Sequence, residues 1–139
     1  MAFCGIFSAI YCLNCCHELT IRDSLLWLFV GNSFGAHLAS YLTFSLAGTK
    51  ALATIAGCGM ADAARQTPLQ HPERKNIMVF SNLGDETEHE DEEFRCFLER
   101  WDIKLNVERR PGSHSFDDYL SNGALRDAFS FCLDSLGNK

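Results

Sequence analysis

Hydrophobic positions along the chain fall into two kinds of pattern, one typical of buried strands and one typical of amphipathic helices. Residues 25–30 read Leu-Leu-Trp-Leu-Phe-Val, a continuous apolar run that stops at a glycine, as a strand covered on both faces does. Residues 34–47 carry leucines four positions apart with small residues beside them, which predicts a helix with one apolar face.

The same patterns recur to the end of the chain and alternate between strand and helix. Strands are predicted over 25–30, 51–56, 76–81 and 104–109, and helices over 2–18, 34–47, 88–101 and 117–136. Strands joined by helices pair in parallel, because a crossover returns the chain to the same end of the sheet. We therefore predict an α/β fold with three α/β/α layers and a short, mostly parallel sheet of about four strands. Residues 1–139 are expected to form a single domain, with the helix 2–18 ahead of the region 25–139.

Composition supports one folded unit and argues against nucleic acid as a partner. The chain has 139 residues, 47% of them hydrophobic, so it can bury a core and does not have the composition of a disordered protein. Its net charge is −6, and lysine and arginine form no block that could follow a phosphate backbone.

The first sixteen residues carry no charged side chain. This run is shorter than the ~20 apolar residues that a bilayer span needs, so we expect no stable membrane span. A buried amphipathic helix over 2–18 is the preferred interpretation, and a membrane-associated N-terminus is the alternative.

Seven cysteines are present, an odd number with irregular spacing. A secreted disulfide framework favours an even number, so free thiols in a reducing compartment and a cytoplasmic location are expected. Cys12, Cys15, Cys16 and His17 lie together, but a zinc site needs a second ligand pair at matching spacing. We therefore expect no metal, with cysteine filling an apolar helix.

A Gly-x-Ser-x-Gly motif, Gly31-Asn32-Ser33-Phe34-Gly35, separates the first predicted strand of the sheet from the helix that follows. Glycines on both sides let a serine occupy a tight, strained strand-to-helix turn, and the helix N-terminus directs free N–H groups toward a reacting oxygen. Chance supplies roughly 0.06 such matches in a chain of this composition, which favours a nucleophilic serine over a simple turn residue.

Two further reactive side chains follow later strands. Asp85 comes after the strand 76–81, and His114 after the strand 104–109. Ligand sites of parallel sheets form at the carboxyl ends of the strands. Ser33 would attack a carbonyl carbon, His114 would take and return its proton, and Asp85 would orient the histidine.

Glu86, Glu88 and Asp91 lie close to Asp85 in the sequence and are alternative candidates for the acid. Four other histidines have no such role. His37 lies one helical turn after the serine and is interpreted as structural, while the remaining three (His17, His71 and His89) have no evident partner.

The order Ser33, Asp85, His114 and the motifs around these residues resemble the C-terminal half of an α/β-hydrolase. The stretch from Gly31 to Leu136 carries the resemblance, and Gly-Ser-His-Ser-Phe resembles the histidine loop of the simple carboxylesterase branch. The resemblance implies a serine hydrolase that cleaves a small acyl ester without metal or cofactor. It also implies that the N–H of Phe34 supplies one oxyanion donor.

The chain departs from that family ahead of the serine. The family's nucleophile follows its fifth strand, whereas 32 residues precede Ser33 here, so the chain is expected to be an N-terminally truncated relative. The loop that carries the second oxyanion donor is then missing, and the strand 25–30 lies at an open edge. We expect the N-terminal segment or a second chain to cover that edge, and predict a homodimer or a partner chain there.

Three functions remain open on the sequence alone. The first is an active esterase-like serine hydrolase. The second is a catalytically impaired relative that acts as a binding or structural subunit. The third is an unrelated small α/β protein in which Ser33 only forms a turn.

Overall fold

The computed structural model describes residues 9–12, 27–57 and 75–137. The strands are β1 (Ala9–Cys12), β2 (Trp27–Asn32), β3 (Thr49–Ile55), β4 (Asn76–Asn82) and β5 (Leu105–Arg110). The helices are α1 (Phe34–Ser45), α2 (Glu88–Glu99), α3 (Phe116–Ser121) and α4 (Ala124–Gly137). The strands form one sheet in the order β1-β2-β3-β4-β5.

Strands β2 to β5 are all parallel, and β1 pairs antiparallel with β2. Apolar side chains on the two sheet faces form two separate cores. On one face, Phe29 and Leu52 of the sheet pack in a cluster with Phe44 of α1 and Leu98 of α2. The other face is covered by α3 and α4. The predicted α/β fold with three layers and a short, mostly parallel sheet is confirmed.

The predicted helix 2–18 is wrong at residues 9–12, which form β1. This segment pairs with the outer edge of β2, with Ala9 opposite Val30 and Cys12 opposite Trp27. Its backbone N–H and C=O groups thereby form hydrogen bonds with the edge of β2. This stabilisation comes from residues that are distant in sequence, so local helix periodicity does not reveal it. The remaining residues of that predicted helix, and with them most of the cysteine cluster, lie outside the described residues.

The strand predicted at 25–30 is observed at Trp27–Asn32 and is not an open edge. The expected open edge is therefore wrong, because β1 of the same chain covers it. This is the first of the two ways of covering the edge that the sequence allows. A dimer or partner chain stays a prediction.

The helix predicted over 117–136 is also wrong as a single element, since α3 and α4 are separate. Asn122 interrupts it: its side-chain Oδ1 accepts from the N–H of Ala124 at 3.1 Å and so caps the start of α4. The break resets the helical phase. Tyr119 is buried, whereas its neighbour Leu120 is 55% exposed.

Within residues 27–57 and 75–137, no helix combines the length and the apolar character that a membrane crossing requires.

Candidate active site

Ser33 lies at the turn between β2 and α1 with a strained backbone, φ 51° and ψ −124°. Its N–H donates to the carbonyl of Ile55 at 2.8 Å, and its carbonyl accepts from the N–H of Ala36 at 2.8 Å. A Cβ added at Gly31 would lie 2.4 Å from the carbonyl oxygen of Gly35. Since no side chain fits there, the glycine lets helix and strand approach closely enough to form the turn.

The serine, histidine and acid of the sequence motif meet at the carboxyl end of the sheet. Ser33 Oγ lies 3.2 Å from His114 Nε2, and His114 Nδ1 lies 2.8 Å from Asp85 Oδ1. An ionised carboxylate only accepts, so Nδ1 carries the proton and Nε2 is left to accept from the serine hydroxyl. The histidine side chain is 37% exposed and the Asp85 side chain 0% exposed. The imidazole is therefore partly open to solvent, while the carboxylate is enclosed.

Several donors surround the Asp85 carboxylate. Thr87 donates its backbone N–H and its hydroxyl to Oδ1 at 2.8 and 2.7 Å, and Tyr119 donates its hydroxyl to Oδ2 at 2.6 Å. Burial raises the pKa of Asp85, but the hydrogen bonds from Tyr119, His114 and Thr87 outweigh it and leave the pKa below its ordinary value. The acid is thus ionised at neutral pH, as an imidazole partner requires.

The loop that carries His114 is fixed by a buried amide at the end of β4. Asn82 Nδ2 donates to the carbonyl of Ser113 at 2.8 Å, and Asn82 Oδ1 accepts from Asn122 Nδ2 at 2.9 Å. Gly112 has φ +145°, and a Cβ there would lie 2.5 Å from Asn82 Nδ2. The loop therefore lies directly on the amide, and its backbone suits only glycine at this point.

Arg110 fastens the start of the same loop. Its guanidinium donates to Asp127 Oδ2 at 2.7 Å and to the carbonyl of Asn122 at 2.8 Å, and it also pairs with Glu108. The guanidinium carbon lies 5.1 Å from the ring centre of Phe80. These contacts tie the end of β5 to the α3–α4 turn, so the histidine loop leaves the sheet from a fixed point.

The remaining motif residues line the turn. Phe34 opens α1, where helix geometry leaves its N–H without an acceptor inside the helix. Its side chain is 67% exposed, and Gly35 behind it is buried. Asn32 is half-buried, and within the described part of the chain its Nδ2 has no hydrogen-bond partner.

The acid that contacts His114 is Asp85 and neither Glu86 nor Asp91, and the side chain of Glu88 lies outside the described part of the chain. Glu86 is exposed, and Asp91 on α2 is buried with its Oδ2 3.8 Å from Arg109. His37 Nε2 lies 3.6 Å from Glu90 Oε2, a contact between α1 and α2 that fits its structural interpretation. Among the described residues, no group of three or more histidine, cysteine or acidic side chains is arranged to hold a metal ion.

Four site residues carry no signal in the sequence patterns: Asn82, Thr87, Asp118 and Tyr119. Asp118 accepts from the backbone N–H and the hydroxyl of Ser113, each at 2.7 Å, and these hydrogen bonds lower the pKa of Asp118. Each of the four forms a hydrogen bond with Asp85 or with Ser113, the neighbour of His114. Their partners are found only once the strand ends are in place, so spacing alone does not reveal them.

The fold resembles that of one solved structure, the Bacillus cereus carboxylesterase, with a TM-score of 0.54 and 16% sequence identity. The match covers 75% of this chain and 49% of that chain, so this chain spans about half the length of that protein. No protein-family model and no curated protein matches the sequence. The likeness shows an α/β fold that a carboxylesterase also has.

Proposed function

We propose that this protein is a serine hydrolase that cleaves a small acyl ester, with Ser33 as nucleophile, His114 as general base and acid, and Asp85 as the residue that orients the histidine. The observation that carries the proposal is the continuous chain of hydrogen bonds from the serine hydroxyl through the imidazole to the buried carboxylate. A surface turn serine has no need of such a chain.

The geometry supports the following reaction. Ser33 Oγ attacks the ester carbonyl carbon while its proton passes to His114 Nε2, and the Asp85 carboxylate stabilises the imidazolium that forms. The tetrahedral oxyanion accepts from the N–H of Phe34. His114 then protonates the leaving alcohol, and an acyl-serine remains. Water, deprotonated by the same imidazole, hydrolyses the acyl-serine and restores Ser33.

Apolar side chains beside the reactive groups favour an apolar acyl or alcohol group. Phe34 follows the serine, Leu83 precedes the acid by two positions, and Phe116 follows the histidine by two positions. All three are exposed. The likeness in fold to a carboxylesterase is consistent with an ester substrate.

Hydrolysis of p-nitrophenyl esters of increasing chain length tests the proposal. We expect turnover by the wild type and a loss of roughly 10³-fold or more in Ser33→Ala and His114→Ala. Ser130→Ala and His89→Ala remove the same groups from exposed positions on α4 and α2 and should leave turnover unchanged. The proposal would be contradicted by a folded wild type that does not turn over the esters, or by Ser33→Ala and His114→Ala variants that both keep wild-type turnover.

A further inference from the structure

Tyr119 is a buried polar side chain that the proposed reaction does not itself use. It lies on α3, five positions after His114, and is 1% exposed. Its hydroxyl accepts from the backbone N–H of Asn82 at 3.0 Å and lies 2.6 Å from Asp85 Oδ2. An amide N–H cannot accept, so the proton of the hydroxyl is directed at the carboxylate.

The two oxygens of Asp85 have different partners. Oδ1 accepts from His114 and twice from Thr87, whereas the donor that the described residues bring to Oδ2 is Tyr119. Rotation of a carboxylate about its last torsion is broad, so contacts on one oxygen alone leave the plane of the group loosely defined. A second anchor on Oδ2 fixes that plane and aims Oδ1 at the imidazole.

We propose that Tyr119 is a positioning residue for Asp85: its hydroxyl, held by the N–H of Asn82, anchors Oδ2 and orients Oδ1 toward His114. This inference rests on the proposed function, because it gives Tyr119 a role only through the acid of that reaction.

Burial and the neighbouring carboxylates keep the tyrosine hydroxyl protonated and therefore a donor. Burial, then the hydrogen bond to Asp85, raises the pKa of Tyr119, and the charge of Asp91 on α2 acts in the same direction. The phenol therefore stays protonated throughout the pH range in which an esterase works. Its contact with the acid is a hydrogen bond to an ionised group, a kind about twice as strong as a neutral one.

Loss of the hydroxyl should change how the histidine–acid pair binds its proton. The Tyr119 donor stabilises the bare carboxylate more than a carboxylate already paired with an imidazolium. Without that hydrogen bond, the imidazolium–carboxylate pair becomes more stable relative to the imidazole–carboxylate pair, so the midpoint of the coupled titration moves to higher pH. We expect a shift of roughly 0.5 pH units in Tyr119→Phe, the equivalent of about threefold in the protonation equilibrium.

The test follows the imidazole resonances of His114 by NMR across pH, in the wild type, Tyr119→Phe and Tyr41→Phe. Tyr41 is exposed on α1, so its variant loses the same hydroxyl away from the site. The midpoint should rise in Tyr119→Phe alone. An unchanged midpoint in a folded Tyr119→Phe would overturn the proposal, because a purely structural role leaves the titration where it is.

A second variant covers the case in which Tyr119→Phe does not fold. 3-Fluorotyrosine at position 119 keeps both hydrogen bonds and makes the hydroxyl a stronger donor. The midpoint should then move to lower pH, and no movement would overturn the proposal.

The rate of labelling by a fluorophosphonate separates this inference from the proposed function. We expect roughly tenfold slower labelling in Tyr119→Phe, far less than the ~10⁴-fold loss typical when the acid itself is changed. If the wild type does not label but the NMR midpoint still rises in Tyr119→Phe, the esterase is refuted and the positioning role is kept. Normal labelling with no shift refutes the positioning role and keeps the esterase.

Discussion

The strained backbone of Ser33 predicts that function and stability oppose each other at this residue. A non-glycine residue at φ 51° and ψ −124° costs about 1–3 kcal/mol, whereas glycine adopts this conformation freely. Glycine loses about 0.5–1 kcal/mol through the greater freedom of its unfolded chain. Ser33→Gly should therefore be more stable than Ser33→Ala by roughly 0.5–2 kcal/mol, although both lack the hydroxyl.

Comparing these two variants isolates the backbone term, because each has lost the same hydrogen bond to His114. In urea unfolding, the midpoints of the two variants at a common slope give the difference in their free energies of unfolding. In thermal unfolding of a chain of this size, the same difference corresponds to roughly 2–8 °C in Tm. Ser130 lies in the interior of α4 and supplies the opposite case. Ser130→Gly should therefore be less stable than Ser130→Ala by about 1 kcal/mol. If Ser33→Gly were no more stable than Ser33→Ala, the strain argument would be refuted.

Three further predictions concern other parts of the structure. Gly112→Ala should slow ester hydrolysis strongly in a protein that still folds, because the added Cβ would lie 2.5 Å from Asn82 Nδ2 and displace the histidine loop; unchanged kcat would contradict this. Hydrogen bonds from two arginines lower the pKa of Asp127 from 3.8 to about 2, so the stability it contributes is present above pH 4 and is lost as pH falls toward 2. Urea midpoints at pH 6 and pH 3 should therefore differ less in Asp127→Asn than in the wild type, and an equal difference would count against the pairing. Burial raises the pKa of Cys132 to about 12, so peptide-mapped maleimide labelling at pH 8 should modify exposed Cys96 and spare Cys132.

The parts of the fold that the sequence predicts well are those whose signal is local. The predicted strand 76–81 has an apolar centre, Ile-Met-Val-Phe, because β4 is covered on both faces, and its observed range is Asn76–Asn82. The turn around Ser33 is also a local matter, since glycine is needed within two positions of it. Side chains placed directly after strand ends are brought together by any parallel sheet, which explains why Asp85 and His114 meet.

What the sequence does not predict depends on contacts between distant positions. Residues 9–12 become a strand because β2 offers an edge to pair with, and a four-residue segment is too short for hydrophobic periodicity to distinguish a strand from a helix. Tyr119 donates a hydrogen bond to Asp85 across 34 positions, and no local pattern reveals a contact between residues so far apart. Asn122 lies between α3 and α4, and its side chain caps the start of α4. Hydrophobic periodicity therefore does not continue from one helix to the other, and it does not show where the break lies.

Covalent labelling by a fluorophosphonate, read by intact mass and peptide mapping, measures whether Ser33 is an activated nucleophile. The probe needs an activated serine but no deacylation, so it reports the Ser33–His114–Asp85 arrangement itself. We predict a single adduct on Ser33 that is absent in Ser33→Ala, strongly slowed in His114→Ala and unchanged in His89→Ala. A folded wild type that stays unlabelled, or labelling of His114→Ala as fast as that of the wild type, would refute the proposed Ser33–His114–Asp85 mechanism.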